Sequence, residues 1–203
     1  MKTSYSILLI LLVILASTGH SQTAQEYYDR GATKYHNGDN KGAILDFTKA
    51  TELSTKFALA YNGRGYAKLE LADDKGAIDD FTKAIVFDPN FAGAYAGRGD
   101  AKLLLKDFVG AISDLTKAIE INPKYEGVFT DRGDAKLYLQ DRRGAIADLN
   151  IAIELNPKDA YAYFLRGIAQ LILGMKDSGC LDLSKSGELG CKEAYEEIKK
   201  RCL

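Results

Sequence analysis

GAISDLTKAIEINP occupies residues 110–123 and has the pattern of one amphipathic helix followed by a proline. Two near copies flank it, because GAIDDFTKAIVFDP covers residues 76–89 and GAIADLNIAIELNP covers residues 144–157. The three copies begin 34 residues apart. An internal period of this length indicates a repeat architecture, in which small units of the same kind pack one on the next.

The same period runs through most of the chain in three separate registers. At a spacing of 34 residues, the dipeptide Arg-Gly recurs at five positions, Gly-Ala-Ile at four and one aspartate at five. The repeated residues are Arg30, Arg64, Arg98, Arg132 and Arg166, with Asp46, Asp80, Asp114, Asp148 and Asp182. This agreement predicts five repeats, at about residues 24–57, 58–91, 92–125, 126–159 and 160–193.

Each repeat contains two helical patterns. In the third repeat, residues 92–105 are rich in helix formers, and residues 108–121 place isoleucines, a leucine and alanines on one face. Pro89, Pro123 and Pro157 follow the second pattern and disfavour helical geometry in the residue before them. The repeat unit is therefore expected to be a helical hairpin, with softer boundaries in the first and last repeats, where this proline is absent.

A glycine follows the arginine in every repeat, in the interior of the first helix. Glycine costs about 1 kcal/mol relative to alanine at such a position, so a close approach of two helices must offset that cost. Alanines recur on the second helix, for example at Ala111 and Ala118. We expect the glycines to face these alanines.

The chain resembles the tetratricopeptide repeat family over about residues 24–193. The period, the two alanine registers, the proline and an aromatic residue four positions before the glycine all match that family's signature. The resemblance implies an all-α, right-handed solenoid of helical hairpins whose first helices line a concave surface that binds extended peptides. Two departures recur. Arginine stands where the family commonly has leucine before the glycine, and lysine or glutamine stands where it commonly has tyrosine after it.

The repeated arginines and aspartates allow two interpretations. The arginines could form a line of cationic binding residues, or each could pair with the aspartate of the neighbouring helix. Two opposite charges that share one period favour a ladder of partly buried ion pairs, for which the planar guanidinium is well suited.

A candidate ligand groove follows from the side of the first helices that turns away from the second helices. Its members are Tyr28, Asp29, Asn62, Tyr66, Asp100, Asp131, Asp134, Tyr138, Tyr161 and Phe164. The wider set on this side holds five carboxylates and no lysine or arginine, so the basic clamp with which some family members bind a C-terminal carboxylate is absent. A partner segment of positive or polar character, contacted by tyrosines, fits this surface. The alternative is a solvated acidic face without a ligand.

The fifth repeat differs from the others because its first helix is apolar on nearly all sides. Tyr161, Phe164, Leu165, Ile168 and Ile172 contribute to this. Such a helix is covered by something, whether the end of the same chain, a second copy or a ligand. We expect partial internal burial and a hydrophobic pocket.

A polar helix over about residues 191–202 is expected to cap the solenoid, and all three cysteines lie near it. Cys191 and Cys202 would be about 16 Å apart on one helix, which excludes a disulfide between them. An antiparallel return brings Cys202 towards Cys180, so we favour that pair with Cys191 free or buried. Three reduced cysteines are the alternative. The spacing is unlike that of a zinc site, and no metal is predicted.

The first 21 residues have the pattern of a cleaved secretory signal peptide. Lys2 precedes an apolar run at residues 7–16, and small residues follow up to Ser21. The run is too short for a membrane span, so an uncleaved signal anchor is the less favoured alternative and the mature chain is expected to contain no span. Without these residues the chain has 26 basic and 28 acidic side chains, which gives no electrostatic case for nucleic acid.

Catalysis is not predicted. His36 is the only histidine after residue 21, and no nucleophile motif, phosphate loop or metal-spaced cluster accompanies it, so no cofactor is expected. The sequence favours a secreted or periplasmic scaffold that binds a protein or peptide. A structural component that self-associates through the fifth repeat, as a homo-oligomer, and an accessory subunit of an envelope complex are the alternatives.

Overall fold

A computed structural model describes residues 22–203, so the predicted signal peptide at residues 1–21 lies outside the described residues. The described chain is all-helical and contains eleven helices and no strand. The helices are α1 (Ala24–His36), α2 (Asn40–Leu53), α3 (Ala58–Leu69), α4 (Asp74–Phe87), α5 (Ala92–Leu104), α6 (Phe108–Ile121), α7 (Val128–Tyr138), α8 (Arg142–Leu155), α9 (Ala160–Ile172), α10 (Lys176–Glu188) and α11 (Glu193–Arg201). None of them is long and apolar enough to cross a membrane.

Consecutive helices pack as antiparallel hairpins, and the hairpins stack in chain order. The most extensive contacts join α1 with α2, α3 with α4, α5 with α6, α7 with α8 and α9 with α10. Each second helix also contacts the first helix of the next hairpin, and α11 packs on α10. The architecture is a helical-hairpin solenoid, as the repeat period predicts.

An aspartate side chain caps the second helix of each of the first four hairpins. In the third hairpin, Asp107 accepts a hydrogen bond from the backbone N–H of Gly110 at 3.0 Å. A Cβ atom on Gly110 would lie 2.2 Å from the Asp107 carboxylate, so a larger residue would displace this capping side chain. This contact explains the glycine that opens each repeated stretch. In the fifth hairpin Met175 stands at the cap position and makes no such bond.

The second helices end in an extended residue whether or not a proline follows. Asn122, before Pro123, has φ −133° and ψ 91°, and Ser54, before Thr55, has φ −137° and ψ 94°. The first boundary therefore has the same geometry as the middle three. The last boundary differs, because Gly190 has φ +105° there.

The repeated helix-interior glycines contact large side chains of the second helix, and in the last three hairpins they also lie against the small-residue register that the sequence indicates, as Gly99 does against Leu115 and the carbonyl oxygen of Ala111. A Cβ atom on Gly65 would lie 2.8 Å from the ring of Phe81, and one on Gly97 would lie 2.5 Å from the same ring. Gly65 belongs to the same hairpin as Phe81, and Gly97 belongs to the next hairpin. The two glycines hold the fully buried phenyl ring between them.

The core residue at the Phe81 position of each second helix and the residue at the Gly97 position of the next first helix change together along the chain. Phe47 and Phe81 are matched by Gly63 and Gly97 on the next hairpin. Where the core residue is Leu115 or Leu149 instead, the next hairpin carries Asp131 or Leu165. The larger phenyl ring thus lies against a glycine of the next hairpin, which keeps the interior close-packed.

The repeated arginines and aspartates form ion pairs between the two helices of each hairpin. Arg98 donates from Nε and Nη2 to the two carboxylate oxygens of Asp114, at 2.8 and 2.7 Å. The five pairs are Arg30 with Asp46, Arg64 with Asp80, Arg98 with Asp114, Arg132 with Asp148 and Arg166 with Asp182. The aspartates are buried. These pairs make up what we call the arginine clamp.

The arginine clamp also joins neighbouring hairpins, which the sequence did not indicate. Nη1 of Arg98 donates to Oγ1 of Thr82 on the preceding hairpin at 3.1 Å, and Arg132 does the same to Thr116 at 3.0 Å. The guanidinium of Arg98 also lies 5.6 Å from the ring centroid of Tyr95. One arginine side chain therefore connects three structural elements.

A lysine completes the clamp in the first four hairpins. Lys102 Nζ lies 2.7 Å from Oδ2 of Asp114, so that this carboxylate has two cationic partners. From the sequence, these lysines are only a departure from the family pattern. Gln170 takes this position in the fifth hairpin, where its buried Oε1 has no hydrogen-bond partner among the described residues.

A disulfide joins Cys180 of α10 to Cys202, which follows α11, with their Cα atoms 5.8 Å apart. This is the pairing that the helix geometry favours in the sequence. Cys191 is free and partly buried, with its Sγ 3.4 Å from Oε2 of Glu193. The bond attaches the capping helix to the solenoid.

We expect peptide mapping of the purified protein without reduction to recover the Cys180–Cys202 bond and to find Cys191 alkylated. Replacing Cys202 by serine should lower the stability of the last hairpin by about 3 kcal/mol, because the bond closes a loop of about 20 residues. The matched Cys191→Ser variant should unfold like the wild type. A different pairing, or thiols at all three positions, would contradict this arrangement.

Candidate functional site

The first helices form the inner face of the solenoid. Each of α1, α3, α5 and α7 contacts the next first helix as well as its own partner. No comparable contact joins consecutive second helices in the described part of the chain. Because the first helices lie closer together, the stack curves towards them and their free sides line the concave face.

Two of the predicted groove tyrosines take part in packing instead. Tyr28 packs on Phe47 and Phe57, with ring centroids 5.8 and 5.3 Å apart. Tyr66 lies edge-on to Phe81, and its hydroxyl donates to the Gly93 carbonyl at 3.1 Å. Burial raises the pKa of both phenols. They shape the wall of the groove, and their free contact surface is smaller than the sequence suggests.

Other predicted members are scattered over the N-terminal part of the groove. Asp29 is exposed and accepts a hydrogen bond from Gln25 Nε2 at 2.8 Å. Asn62 is half-buried, and its side-chain oxygen has no hydrogen-bond partner among the described residues. These two residues form no cluster with the acidic residues of the later repeats.

Three of the predicted carboxylates come together on α5 and α7. Burial, followed by the charge of Asp131, raises the pKa of Asp100 to about 7. Burial, followed by the charges of Asp134 and Asp159, raises the pKa of Asp131 to about 6. Burial also raises the pKa of Asp134. None of the three has a lysine or arginine within salt-bridge distance among residues 22–203.

The buried Asp100 carboxyl group makes the stability of the folded chain depend on pH. Its pKa is higher in the folded chain than in the unfolded chain, so the folded state binds more protons between about pH 4 and 7 and loses stability as the pH rises through this window. Replacing Asp100 by asparagine should therefore raise the melting temperature by several degrees at pH 8 and by little at pH 4.

The control for this substitution is Asp79→Asn, because Asp79 is exposed on the second helix α4. Its melting profile should follow that of the wild type at every pH. An Asp100→Asn variant with the same pH profile as the wild type would show that burial does not raise the pKa of the Asp100 carboxyl group.

Aromatic residues flank the carboxylates. The Tyr161 hydroxyl donates to Asp134 Oδ2 at 3.3 Å, and Tyr161 stacks on Phe164, with ring centroids 6.3 Å apart. Tyr138 is 63% exposed and stacks on Phe108, with centroids 4.4 Å apart and ring planes within 7° of each other. Phe108 was missed from the sequence because it belongs to a second helix. The only available signal is that it is the one aromatic residue in its register.

Two cavities open on either side of Asp134 and Tyr138. The first has a volume of about 520 Å³ and is lined by Leu103, Leu104, Lys106 and Phe108 in addition to that pair. The second has a volume of about 220 Å³ and is lined by Leu137, Arg142, Ile168 and Ile172 in addition to the same pair. Both adjoin the C-terminal half of the concave face through Asp134 and Tyr138, and extend to the starts of the second helices at Phe108 and Arg142.

The apolar first helix of the fifth repeat is only partly covered. Leu165 is buried against Phe129 and Leu149 in the core between the fourth and fifth hairpins. Tyr161 and Ile172 are each 47% exposed. As expected, α9 is buried on one side and leaves an apolar surface open on the other. Ile172 on the open side lines the second cavity.

Comparison with family models identifies two segments of the chain as tetratricopeptide repeats, residues 92–125 and residues 130–177. The first segment coincides with the third hairpin, and the second covers most of the fourth hairpin and the start of the fifth. The chain is a tetratricopeptide repeat protein. The matched segments thus lie in the third, fourth and fifth hairpins.

Solved structures of other tetratricopeptide repeat proteins have the same fold. The structure of MamA matches with a TM-score of 0.71 and 25% identity, over 81% of this chain and 96% of MamA. YrrB, described as a TPR protein with an unusual peptide-binding site, matches with a TM-score of 0.73 and 20% identity, over 92% of this chain and 97% of YrrB. TTC0263 of Thermus thermophilus matches with a TM-score of 0.67 and 20% identity, over 87% and 96%.

YrrB and TTC0263 are each 20% identical to this chain, so their similarity shows the fold alone. A search of curated proteins finds no match to this tetratricopeptide repeat chain. Its function is therefore argued from its own site.

Proposed function

We propose that this tetratricopeptide repeat protein is an interaction scaffold that binds an extended segment of a partner protein along its concave face. The observation that carries the proposal is the pair of cavities on either side of Asp134 and Tyr138, with half-buried carboxylates around them. Apolar cavities with a few polar groups are typical of ligand sites. The peptide-binding site named for YrrB is consistent with this use of the fold.

Selection from a displayed library of random 12-residue peptides tests the proposal. The chain from Gln22 to Leu203 serves as bait, beside a groove variant carrying Asp134→Lys and Glu70→Lys, where Glu70 is an exposed residue at the end of the first helix α3. A matched variant carrying Asp79→Lys and Glu120→Lys reverses two exposed charges on second helices. We expect the wild type and the second-helix variant to retain the same peptides and the groove variant to lose them. Equal retention by all three proteins would contradict binding on the concave face.

We also propose that the protein is exported to the periplasm or the extracellular space. The charge and apolar run of residues 1–21 support this, and so does a disulfide at the C-terminus, since disulfides persist in oxidising compartments. Cell fractionation and N-terminal sequencing provide the test. The proposal predicts a mature chain that begins after Gly19 or Ser21, and an uncleaved chain in the cytoplasmic fraction would contradict it.

Self-association is a second candidate function, favoured by the exposure of apolar side chains in the fifth hairpin. Leu181 is 71% exposed on α10, and Ile172 lies at the end of α9. Light scattering coupled to size-exclusion chromatography separates the candidates. A mass that doubles with increasing concentration supports assembly, whereas a monomer at every concentration leaves the binding scaffold as the function.

A further inference from the structure

Asp134 and Tyr138 lie one helical turn apart on α7 and form the wall between the two cavities. Leucines and Phe108 provide the apolar lining of the first cavity, whereas Ile168 and Ile172 contribute to that of the second. An anionic side chain thus stands between two mainly apolar spaces. A ligand that fills both cavities must pass over this carboxylate.

The carboxylate of Asp134 has no cationic partner in the described part of the chain. Its hydrogen bond comes from the Tyr161 hydroxyl, which is neutral. Lys106 lines the first cavity and Arg142 the second, yet neither forms a salt bridge with Asp134. In contrast, every clamp aspartate in the first four hairpins has two cationic partners. This chain pairs its structural aspartates and leaves Asp134 open to the groove.

We propose that Asp134 binds the ammonium or guanidinium group of a lysine or arginine in the partner segment, while apolar side chains two residues before and after it enter the two cavities. This inference rests on the proposed function, and it names the chemistry of the partner.

The spacing in the partner follows from extended geometry. Side chains at positions i and i+2 of an extended chain point to the same side, about 6.5 Å apart along the chain. A central basic residue over Asp134 therefore places its apolar second neighbours towards the cavities. The aliphatic part of a lysine or arginine can lie along the exposed ring of Tyr138, with its charged end at the carboxylate.

The surrounding charges favour a basic partner over an acidic one. Asp131 interacts electrostatically with Asp134, and Asp100 with Asp131, so above about pH 7 both carboxylates add to the negative potential at the wall between the cavities. Lys106 and Arg142 lie further along the two linings and offer the only positive charges there. A carboxylate in the partner would face Asp134 itself, so it is disfavoured at the central position.

Four peptides test the inference by fluorescence anisotropy with the chain from Gln22 to Leu203. Each has the form Gly-Ser-Leu-Ser-X-Ser-Leu-Ser-Gly with blocked ends, and X is lysine, arginine, norleucine or glutamate. Norleucine retains the aliphatic chain without the charge. We expect the lysine and arginine peptides to bind about tenfold or more tightly than the other two, as a charge-assisted hydrogen bond requires.

Variants assign the preference to one residue. Asp134→Asn keeps an acceptor for Tyr161 and should reduce the preference for lysine over norleucine to less than about twofold. Asp134→Lys should reverse it in favour of the glutamate peptide. The control Asp79→Asn should behave like the wild type. Melting curves show whether each variant is folded, and the asparagine variant is the one that preserves the local packing.

The outcomes separate this inference from the proposed function. Equal binding of the lysine and norleucine peptides, an unchanged preference in Asp134→Asn, or tighter binding of the glutamate peptide each overturns the basic-residue inference and leaves the scaffold in place. Failure of all four peptides to bind, while library peptides bind the concave face, does the same. If neither the four peptides nor the library yields a ligand, both proposals are overturned.

Discussion

Replacing Arg98 by alanine lowers the melting temperature of the chain by about 5–15 °C. The substitution removes both hydrogen bonds to the buried Asp114 and the bond to Thr82 of the preceding hairpin. Breaking a buried ion pair at one partner costs about 3–5 kcal/mol, and Lys102 lowers this because it keeps part of the charge of Asp114 compensated. In a domain of this size each kcal/mol corresponds to about 2–4 °C. Thermal unfolding followed by circular dichroism measures the change.

The control is an exposed ion pair of the same chain. Lys49 and Glu52 lie 2.6 Å apart on α2, with more than half of each side chain exposed. Lys49→Ala should change the stability by less than about 0.5 kcal/mol. If Arg98→Ala melts like Lys49→Ala, the arginine clamp does not stabilise the stack. In that case the arginines are better explained as a line of cationic binding residues.

Replacing Gly97 by alanine should lower the free energy of unfolding by about 1–2 kcal/mol, although alanine is the better helix former. The added Cβ atom would lie 2.5 Å from Cζ of Phe81, a ring that is already fixed by Gly65 on its other side. Overpacking of a closed core costs about 1–3 kcal/mol, and a contact this short falls in the upper part of that range, so the gain of about 1 kcal/mol in helix propensity offsets only part of the cost. Chemical denaturation measures the loss.

A second substitution tests the cause. In a Phe81→Leu background the core residue matches the leucine of the later hairpins, so Gly97→Ala should then cost less than about 1 kcal/mol. The double-mutant cycle should show a coupling of at least about 1 kcal/mol. An additive result would mean that Gly97 is required for its backbone and not for the space that it leaves to the ring.

Repeated residues allowed the fold to be predicted from the sequence, because each repeated residue meets the same neighbours in every hairpin. The arginine register and the aspartate register share one period, so one pairing explains five pairs. The glycine register was located correctly, and its contact with the alanine register was found in part, because a large side chain lies closer to each glycine than the alanine does. Sequence spacing places Gly99 near Ala111, but only packing decides that Leu115 lies closer to it.

The candidate site was less predictable, because it depends on residues that do not repeat. Helical spacing places Asp134 and Tyr138 on the concave face. It does not indicate that the Tyr66 hydroxyl donates a hydrogen bond to the Gly93 carbonyl, or that Phe108 of a second helix stacks on Tyr138. These contacts join different hairpins, and their geometry follows from the stacking of the solenoid rather than from the pattern of any one helix.

The chain therefore divides its residues between two tasks. The clamp arginines and aspartates, the glycines and the capping aspartates recur and hold the hairpins together. The concave residues of α5, α7 and α9 vary from repeat to repeat, and they surround the two cavities. Changes in the first group should affect stability, and changes in the second group should affect binding.

The most direct test of binding on the concave face is a nuclear magnetic resonance titration of the ¹⁵N-labelled chain from Gln22 to Leu203 with a peptide selected from the 12-residue library. The account predicts that amide shifts change mainly in α5, α7 and α9, and most strongly around Asp134 and Tyr138. Changes confined to the second helices α4, α6 and α8 would contradict it.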